Sequence, residues 1–302
     1  MGKALEELAA AVRDVAGVAG PAVVGVGPGG SGVVIGEGLV VTNAHNLRGE
    51  QVSVTFTDGR REAAEVAGAD IDGDLAVLKV ATTGVTPLTF AEAEPGPGDA
   101  VLALGNPGGR GTRVTVGFVS AVGVAFRGPR GGRIRGAIEH TAPLARGSSG
   151  GPVVDVGGRL LGLNTHRLGD GFYLAVPADA ALRARVEALG RGEVPVRPRL
   201  GIAVAPLQVA RRLRRSVGLP ERSGILVQAV EEGGPADRGG ISPGDLIVRI
   251  GASEVASVDE LASALEAHAA GGSGPEPLEV GLVRGAEELV VTVDLLGAPP
   301  AG

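Results

Sequence analysis

Gly38-Leu39-Val40-Val41-Thr42-Asn43-Ala44-His45 is a short aliphatic run closed by a small polar turn. A β-branched run of that length, bounded by a glycine and a turn, reads as a strand with a rigid end. Between Ala22 and about Val176 the pattern recurs in Val33-Val34-Ile35, Val52 to Phe56, Leu75 to Val80, Val101 to Leu104, Val114 to Val119 and Leu160 to Leu163. Gly, Asp, Asn or Pro bounds many of these runs, and Asp58-Gly59 suits a hairpin turn. Many short strands joined by tight turns predict an all-β sandwich or barrel.

Beyond this region the grammar changes. Pro177 to Leu189 reads as a helix with Pro177 near its start and Gly190 just past its end. Arg191 to Pro198 is polar and carries proline, as a linker does. From Leu200 to Leu296 strands and helices alternate, with strand-like runs at Gly201 to Val204, Ile225 to Val230, Leu246 to Ile250, Leu278 to Val283 and Leu289 to Leu295. Helices are predicted over Val209 to Val217 and Ser257 to His268. The latter opens with a capping box, Ser257 at the cap and Glu260 reaching back to it.

The chain has 302 residues, enough for about two domains. With 44% hydrophobic but only 2% aromatic residues, its cores must be built from Val, Leu, Ile and Ala. The 53 glycines favour short elements and tight turns. A net charge of −6 points away from nucleic acid as a partner. The basic stretch Arg127 to Arg135 lacks the aromatics that would stack on bases and reads as a solvated loop. There are no cysteines, and the four histidines are too scattered for a metal cluster, so no metal site or cofactor is expected. Residues 1 to 19 read as an amphipathic helix rather than a signal peptide, and no apolar run is long enough to span a membrane. The sequence as it stands therefore reads as cytoplasmic, or as extracytoplasmic if an export signal has been trimmed away.

Chemistry concentrates at Gly147-Ser148-Ser149-Gly150-Gly151-Pro152. Glycines on both sides let the chain turn sharply and leave N–H groups free to converge beside a serine hydroxyl. That is the local requirement for a nucleophile with an oxyanion hole. Such a serine needs a base. His45 stands at a strand end, His140 shortly before the serine, and His166 after the next strand; His268 ends a helix in the other unit. For the orienting acid, Asp70, Asp72 and Asp74 cluster together, and Asp74 directly precedes the apolar run Leu75 to Val80.

VTNAH at a strand end, DLAVLKV after it and GSSGGPVVD further on resemble the trypsin-like serine proteases of the HtrA (Deg) family. The order His, Asp, Ser is that of chymotrypsin-type double barrels. Gly105-Asn106-Pro107 with Val114 to Ser120, Gly162-Leu163-Asn164-Thr165, and Gly171 to Pro177 resemble further stretches of the same family. Arg199-Leu200-Gly201-Ile202 and Gly239 to Ile247 resemble a bacterial, circularly permuted PDZ domain.

The resemblance implies a mainly β chain: a chymotrypsin-like double β-barrel followed by a smaller α+β PDZ domain. It divides the chain into an N-terminal helical segment (1–21), a protease domain (22–188), a linker (189–198), the PDZ domain (199–297) and a tail (298–302). It implies a triad of His45, Asp74 and Ser149, an oxyanion hole from Gly147, Ser148 and Ser149, and no cofactor. It places Leu144, Asn164, Thr165, His166, Arg167 and Leu168 around the specificity pocket. Leu144 and Leu168 there favour a small or medium apolar side chain, with His166 and Arg167 as the alternative that would welcome an acidic one. Arg199, Leu200, Gly201, Ile202, Leu261 and Leu265 would bind peptide C-termini. The implied substrates are unfolded or damaged proteins, and the alternative is a non-catalytic peptide-binding or chaperone protein on a protease fold. A homotrimer is the family's assembly, although the N-terminal region here lacks the aromatics that often build it. The sequence also departs from the family where Ser148 replaces an asparagine and where His140 to Arg146 replaces an acidic segment.

Overall fold

The computed structural model describes residues 2–49, 51–128, 133–193, 198–206, 209, 222–270 and 277–295. The chain forms two compact units, Met1–Pro195 and Val196–Gly302. All but Val209 of the helix expected over Val209 to Val217, the whole tail (298–302), and parts of the linker and of the basic stretch lie outside the described residues.

The first unit opens with α1 (Gly2–Ala19), which buries Val15 and Ala19 and exposes Leu5, Leu8 and Val18. A closed six-stranded antiparallel barrel follows. It comprises β1 (Val23–Val26), β2 (Gly30–Gly36), β3 (Leu39–Thr42), β4 (Gln51–Thr55), β5 (Arg61–Asp70) and β6 (Leu75–Lys79), in the order β1-β2-β3-β6-β5-β4. Asp58-Gly59 makes the β4–β5 turn: Gly59 has φ +88°, and the Asp58 carboxylate accepts from the Arg60 amide at 2.9 Å. Val23, Val24, Val26, Val33, Val34, Val40, Val54, Leu75 and Leu78 fill the interior, so the core is aliphatic as the composition requires.

The second barrel contains β7 (Ala100–Gly105), β8 (Arg113–Arg127), β9 (Arg133–His140), β10 (Pro152–Val154), β11 (Leu160–Gly169) and β12 (Phe172–Pro177), in the order β10-β11-β12-β9-β8-β7. Helix α2 (Ala180–Gly190) closes the unit. Pro177 was expected at this helix's start but ends β12. Asp179 is the cap instead, its carboxylate accepting from the Leu182 amide at 2.8 Å. A carboxylate can satisfy an orphan N–H of the first turn, which proline cannot do. Gly190 is the last helical residue rather than the first beyond it.

The second unit holds a sheet ordered β13-β14-β15-β17-β18, with β16 paired to β15. Its strands are β13 (Ile202–Val204), β14 (Ile225–Val230), β15 (Leu246–Ile250), β16 (Ser253–Glu254), β17 (Leu278–Arg284) and β18 (Glu287–Val293). Helices α3 (Pro235–Arg238) and α4 (Val258–Ala270) accompany it. The capping box forms as expected: Ser257 Oγ accepts from the Glu260 amide at 3.2 Å, and Glu260 Oε2 accepts from the Ser257 amide at 3.1 Å. Arg284 donates to both oxygens of the buried Asp245 at 2.8 Å, fixing the turn before β15. Among the described residues β13 is an edge strand, paired on one side only, to β14. Among the described residues, no helix is long and apolar enough to cross a membrane.

Candidate active site

His45 sits in a short 3-10 turn (Ala44–Asn46) just beyond β3, and Asp74 immediately precedes β6. β3 and β6 pair through Thr42 and Ala76, so the sheet register itself brings the two residues together. Ser149 arrives from the second barrel, in the turn before β10.

His45 Nδ1 lies 2.9 and 2.8 Å from the two oxygens of Asp74, and the His45 amide donates to Asp74 Oδ1 at 3.1 Å. Asp74 is 2% exposed and His45 is half-buried, so the carboxylate is dry while the outer imidazole edge stays reachable. Thr165 Oγ1 donates to Asp74 Oδ2 at 3.0 Å. Asp74 has φ +51°, a left-handed conformation uncommon for a residue other than glycine. Asn43 Nδ2 holds its carbonyl at 2.9 Å. Behind it, Arg185 of α2 donates to the buried Asp70 at 2.7 Å and to the Gly73 carbonyl at 3.3 Å, anchoring the turn that carries Asp74. Asp72 is exposed.

The Ser149 turn is clamped to the first barrel. Its carbonyl accepts from Asn46 Nδ2 at 2.9 Å and from the Ser31 amide at 3.1 Å, and Ser31 Oγ donates to the Gly147 carbonyl at 2.7 Å. Gly147 has φ +85°, and a β-carbon there would stand 2.0 Å from the Gly29 carbonyl oxygen. Gly150, at φ +86°, would meet the Ser31 carbonyl at 2.2 Å. Only glycine fits either place. The amides of Gly147 and Ser149 donate to no other group among the described residues. The Ser148 amide donates to the Ala145 carbonyl at 3.2 Å, which withdraws it from the expected set of three donors. Ser149 Oγ donates to the Thr165 carbonyl at 3.1 Å rather than to His45.

A cavity of about 320 Å³ opens beside Ser149, lined by Leu144 to Ser149, Thr165, His166, Arg167 and Tyr173. Four of the six expected pocket residues are there: Leu144, Thr165, His166 and Arg167. Two are not. Asn164 is fully buried, its amide nitrogen donating to the carbonyls of Gly151 and Pro152 at 3.1 Å and Leu104 at 3.3 Å. Leu168 is 47% exposed and lies outside the cavity, at a point where the β11–β12 register shifts between Arg167 and Gly169. Tyr173, on the neighbouring β12, could not be found from sequence because only the β11–β12 pairing brings it beside Arg167.

Of the other histidines, His140 is fully buried in β9 and stacked on Tyr173, and among the described residues neither ring nitrogen has a partner at hydrogen-bonding geometry. Burial pushes its pKa down to about 4, against a smaller opposing influence from the Asn164 side chain. His166 is exposed and stacks on Phe126. Neither meets Asp74. Among the described residues, no three His, Asp or Glu side chains cluster as a metal site would require.

In the second unit, Leu261 and Leu265 are core residues, 7% and 5% exposed, in one cluster with Leu200 and packed with Ile202. The carbonyls of Leu200 and Gly201 accept from the amides of Ala236 and Glu231 at 2.8 Å, while their own N–H groups have no partner among the described residues. Arg199 lies 3.7 Å from Glu231.

Residues 30–163 match a family model described as a trypsin-like peptidase domain, and residues 198–295 match a PDZ domain model. The chain is 34% identical over 281 residues to HhoA of Synechocystis sp., a protein whose name describes a serine protease, covering 87% of this chain and 69% of that one. It is 33% identical over 272 residues to a DegP-like periplasmic serine endoprotease of Halomonas elongata, covering 87% of this chain and 55% of the relative. The chain thus spans between about half and two-thirds of the length of most of these curated relatives, with 52%, 55% and 65% covered among the first three. Among solved structures, the HtrA-type protease AlgW with a decapeptide superposes with a TM-score of 0.73 at 28% identity, covering 96% of this chain and 99% of that one. The serine endoprotease from Yersinia pestis superposes with a TM-score of 0.69 at 30% identity, covering 94% and 96%.

Proposed function

Because the chain belongs to the HtrA family of serine proteases with a PDZ domain, we propose that it hydrolyses peptide bonds of unfolded or damaged proteins through His45, Asp74 and Ser149. The observation that carries this reading is the bond from His45 Nδ1 to the buried Asp74 carboxylate, which leaves Nε2 as the free, basic nitrogen.

Ser149 Oγ rotates from the Thr165 carbonyl to His45 Nε2 and attacks the scissile carbonyl. His45 takes the hydroxyl proton and later delivers it to the leaving amine. Asp74 holds the imidazole in the tautomer this needs and stabilises the imidazolium. The unpaired N–H groups of Gly147 and Ser149 receive the oxyanion; losing one such donor costs about 10²–10³ in rate. Water then attacks the acyl carbon as His45 takes its proton, the bond from that carbon to Ser149 Oγ breaks, the acid product leaves, and His45 returns the proton to Ser149 Oγ.

The PDZ domain recruits or regulates by adding a peptide C-terminus as a strand beside β13, its carboxylate meeting the N–H groups of Leu200 and Gly201. The bond from Ser149 to Thr165 favours a second reading, a peptide-binding protein that no longer cuts. Reaction with a serine-directed phosphonate, alongside digestion of denatured casein with and without C-terminal peptides, separates the two. Ser149 labelling and casein cleavage, both absent in Ser149→Ala, support the protease. Wild-type protein that neither labels nor cleaves under any condition overturns it.

A further inference from the structure

We propose that Arg167 determines substrate choice, receiving an acidic side chain, Asp or Glu, immediately before the scissile bond. This rests on the proteolytic reading above and reverses the apolar preference expected from Leu144 and Leu168.

The position of Arg167 comes from β11. Thr165, on the same strand, accepts the Ser149 hydroxyl with its carbonyl and reaches Asp74 with its own hydroxyl. Two residues on, Arg167 lines the cavity beside Ser149. Its guanidinium donates to the carbonyl of Leu144, another lining residue, and lies 5.3 Å from the centre of the Tyr173 ring. One side chain therefore touches two other lining residues, and Arg167 remains exposed, within reach of an entering side chain.

The charges around it are unbalanced. No lining residue is acidic, and Arg146 adds a second cation. Arg167 forms no ion pair among the described residues, and its one hydrogen-bond partner is a main-chain carbonyl. A guanidinium carries five N–H donors, so most of its capacity remains unused. An apolar side chain entering here would strip water from those donors and return nothing. A carboxylate would supply paired acceptors in the geometry that arginine matches best.

The cation is also held in place. Tyr173 carries Arg167 on one contact and His140 on another, with the His140 ring 5.9 Å away at 23°. His140 is fully buried and neutral at ordinary pH, so it contributes a packing surface and no competing charge. A guanidinium already in contact with Leu144 and Tyr173 loses less freedom when it receives a ligand. The apolar alternative has little to offer, since Leu168 faces solvent and the aliphatic lining reduces to Leu144 and Ala145.

The test reads the cut sites directly. Denatured casein is digested with the full chain and the new termini are identified by mass spectrometry. Peptides differing only in the residue before the cut (Glu, Asp, Ala, Val or Lys) then give kcat/KM. Cuts after Asp and Glu should dominate, with the acidic peptides ahead of Ala and Val by about tenfold to a hundredfold. In Arg167→Ala that advantage should vanish, and in Arg167→Glu it should invert toward Lys. Cleavage mainly after Ala, Val or Leu, or an acidic preference unmoved in Arg167→Ala, overturns the inference while leaving the protease intact. Absence of both casein cleavage and Ser149 labelling sinks the proteolytic reading, and this inference with it.

Discussion

Ser149 Oγ donates to the main-chain carbonyl of Thr165 at 3.1 Å, and the Thr165 hydroxyl donates to Asp74 Oδ2 at 3.0 Å. One residue of β11 therefore holds Ser149 with its backbone and Asp74 with its side chain. His45 reaches the same carboxylate from the other side. The arrangement holds the serine hydroxyl in a satisfied position on the Thr165 carbonyl.

Thr165→Val removes the hydroxyl but keeps the shape. Asp74 then loses one of its acceptor bonds and holds His45 less firmly. We expect kcat to fall about tenfold with KM little changed, and stability to fall by about 1–2 kcal/mol. Thr165→Ser should restore most of both. Steady-state kinetics on one peptide, with denaturant melts of the three proteins, check this; an unchanged kcat in Thr165→Val contradicts it.

His140 gives the fold an acid limit. Its folded pKa is about 4 against an ordinary 6.5, so the unfolded chain binds the proton more readily between those values. Stability is fully present above about pH 6.5 and falls as pH drops toward 4, by on the order of 3 kcal/mol in total. His140→Phe keeps an aromatic ring against Tyr173 and removes the titration. Urea melts at pH 7 and pH 4.5 should show wild type losing about 2–3 kcal/mol more than the variant. Equal losses would refute the assignment.

Arg185→Ala withdraws a guanidinium from Asp70, whose side chain is only 4% exposed. Breaking a buried pair from one side typically costs about 3–5 kcal/mol. Arg185 is itself 31% exposed, so water can partly replace it, and about 2 kcal/mol is expected. Peptidase activity should fall as well, since the same turn carries Asp74. A denaturant midpoint within error of wild type would show the pair to be inert.

Peptide capture by the second unit depends on a free C-terminus. Calorimetry on the full chain should show a peptide acid binding at least about tenfold more tightly than its amide. Gly201 has φ +73°, and a β-carbon there would stand 3.0 Å from Glu231 Oε2. Gly201→Val should therefore distort the loop and abolish the difference. Equal affinity for acid and amide in wild type would place the peptide elsewhere.

Local signals were legible wherever neighbouring residues settle the structure. Asp58-Gly59 became a turn and Ser257 with Glu260 a reciprocal cap because each depends on contacts a few residues apart, and the β-branched runs became barrel strands because their apolar pattern is itself local, though their partners are not. The Pro177 helix start failed for the same reason in reverse. Proline is compatible with a first helical turn, but pairing of Gly162 with Pro177 kept it in β12 and left the cap to Asp179. Ser148 looked like a third oxyanion donor until the turn brought the Ala145 carbonyl to its amide.

By itself the sequence determined the all-β grammar of the first unit, the mixed character of the second, and glycines where Gly147 and Gly150 permit no β-carbon. It also ordered a histidine, an aspartate and a serine along the chain while leaving His140 and His166 open as bases. Only the tertiary structure shows which of these histidines meets an aspartate: β3–β6 pairing sets His45 against Asp74, while β9 buries His140 against Tyr173. It decided, too, that Leu168 leaves the cavity and Arg167 enters it. Side-chain direction on a strand follows from pleat and register, and the cavity's charge follows from which strands meet. Neither is written in any local stretch of residues.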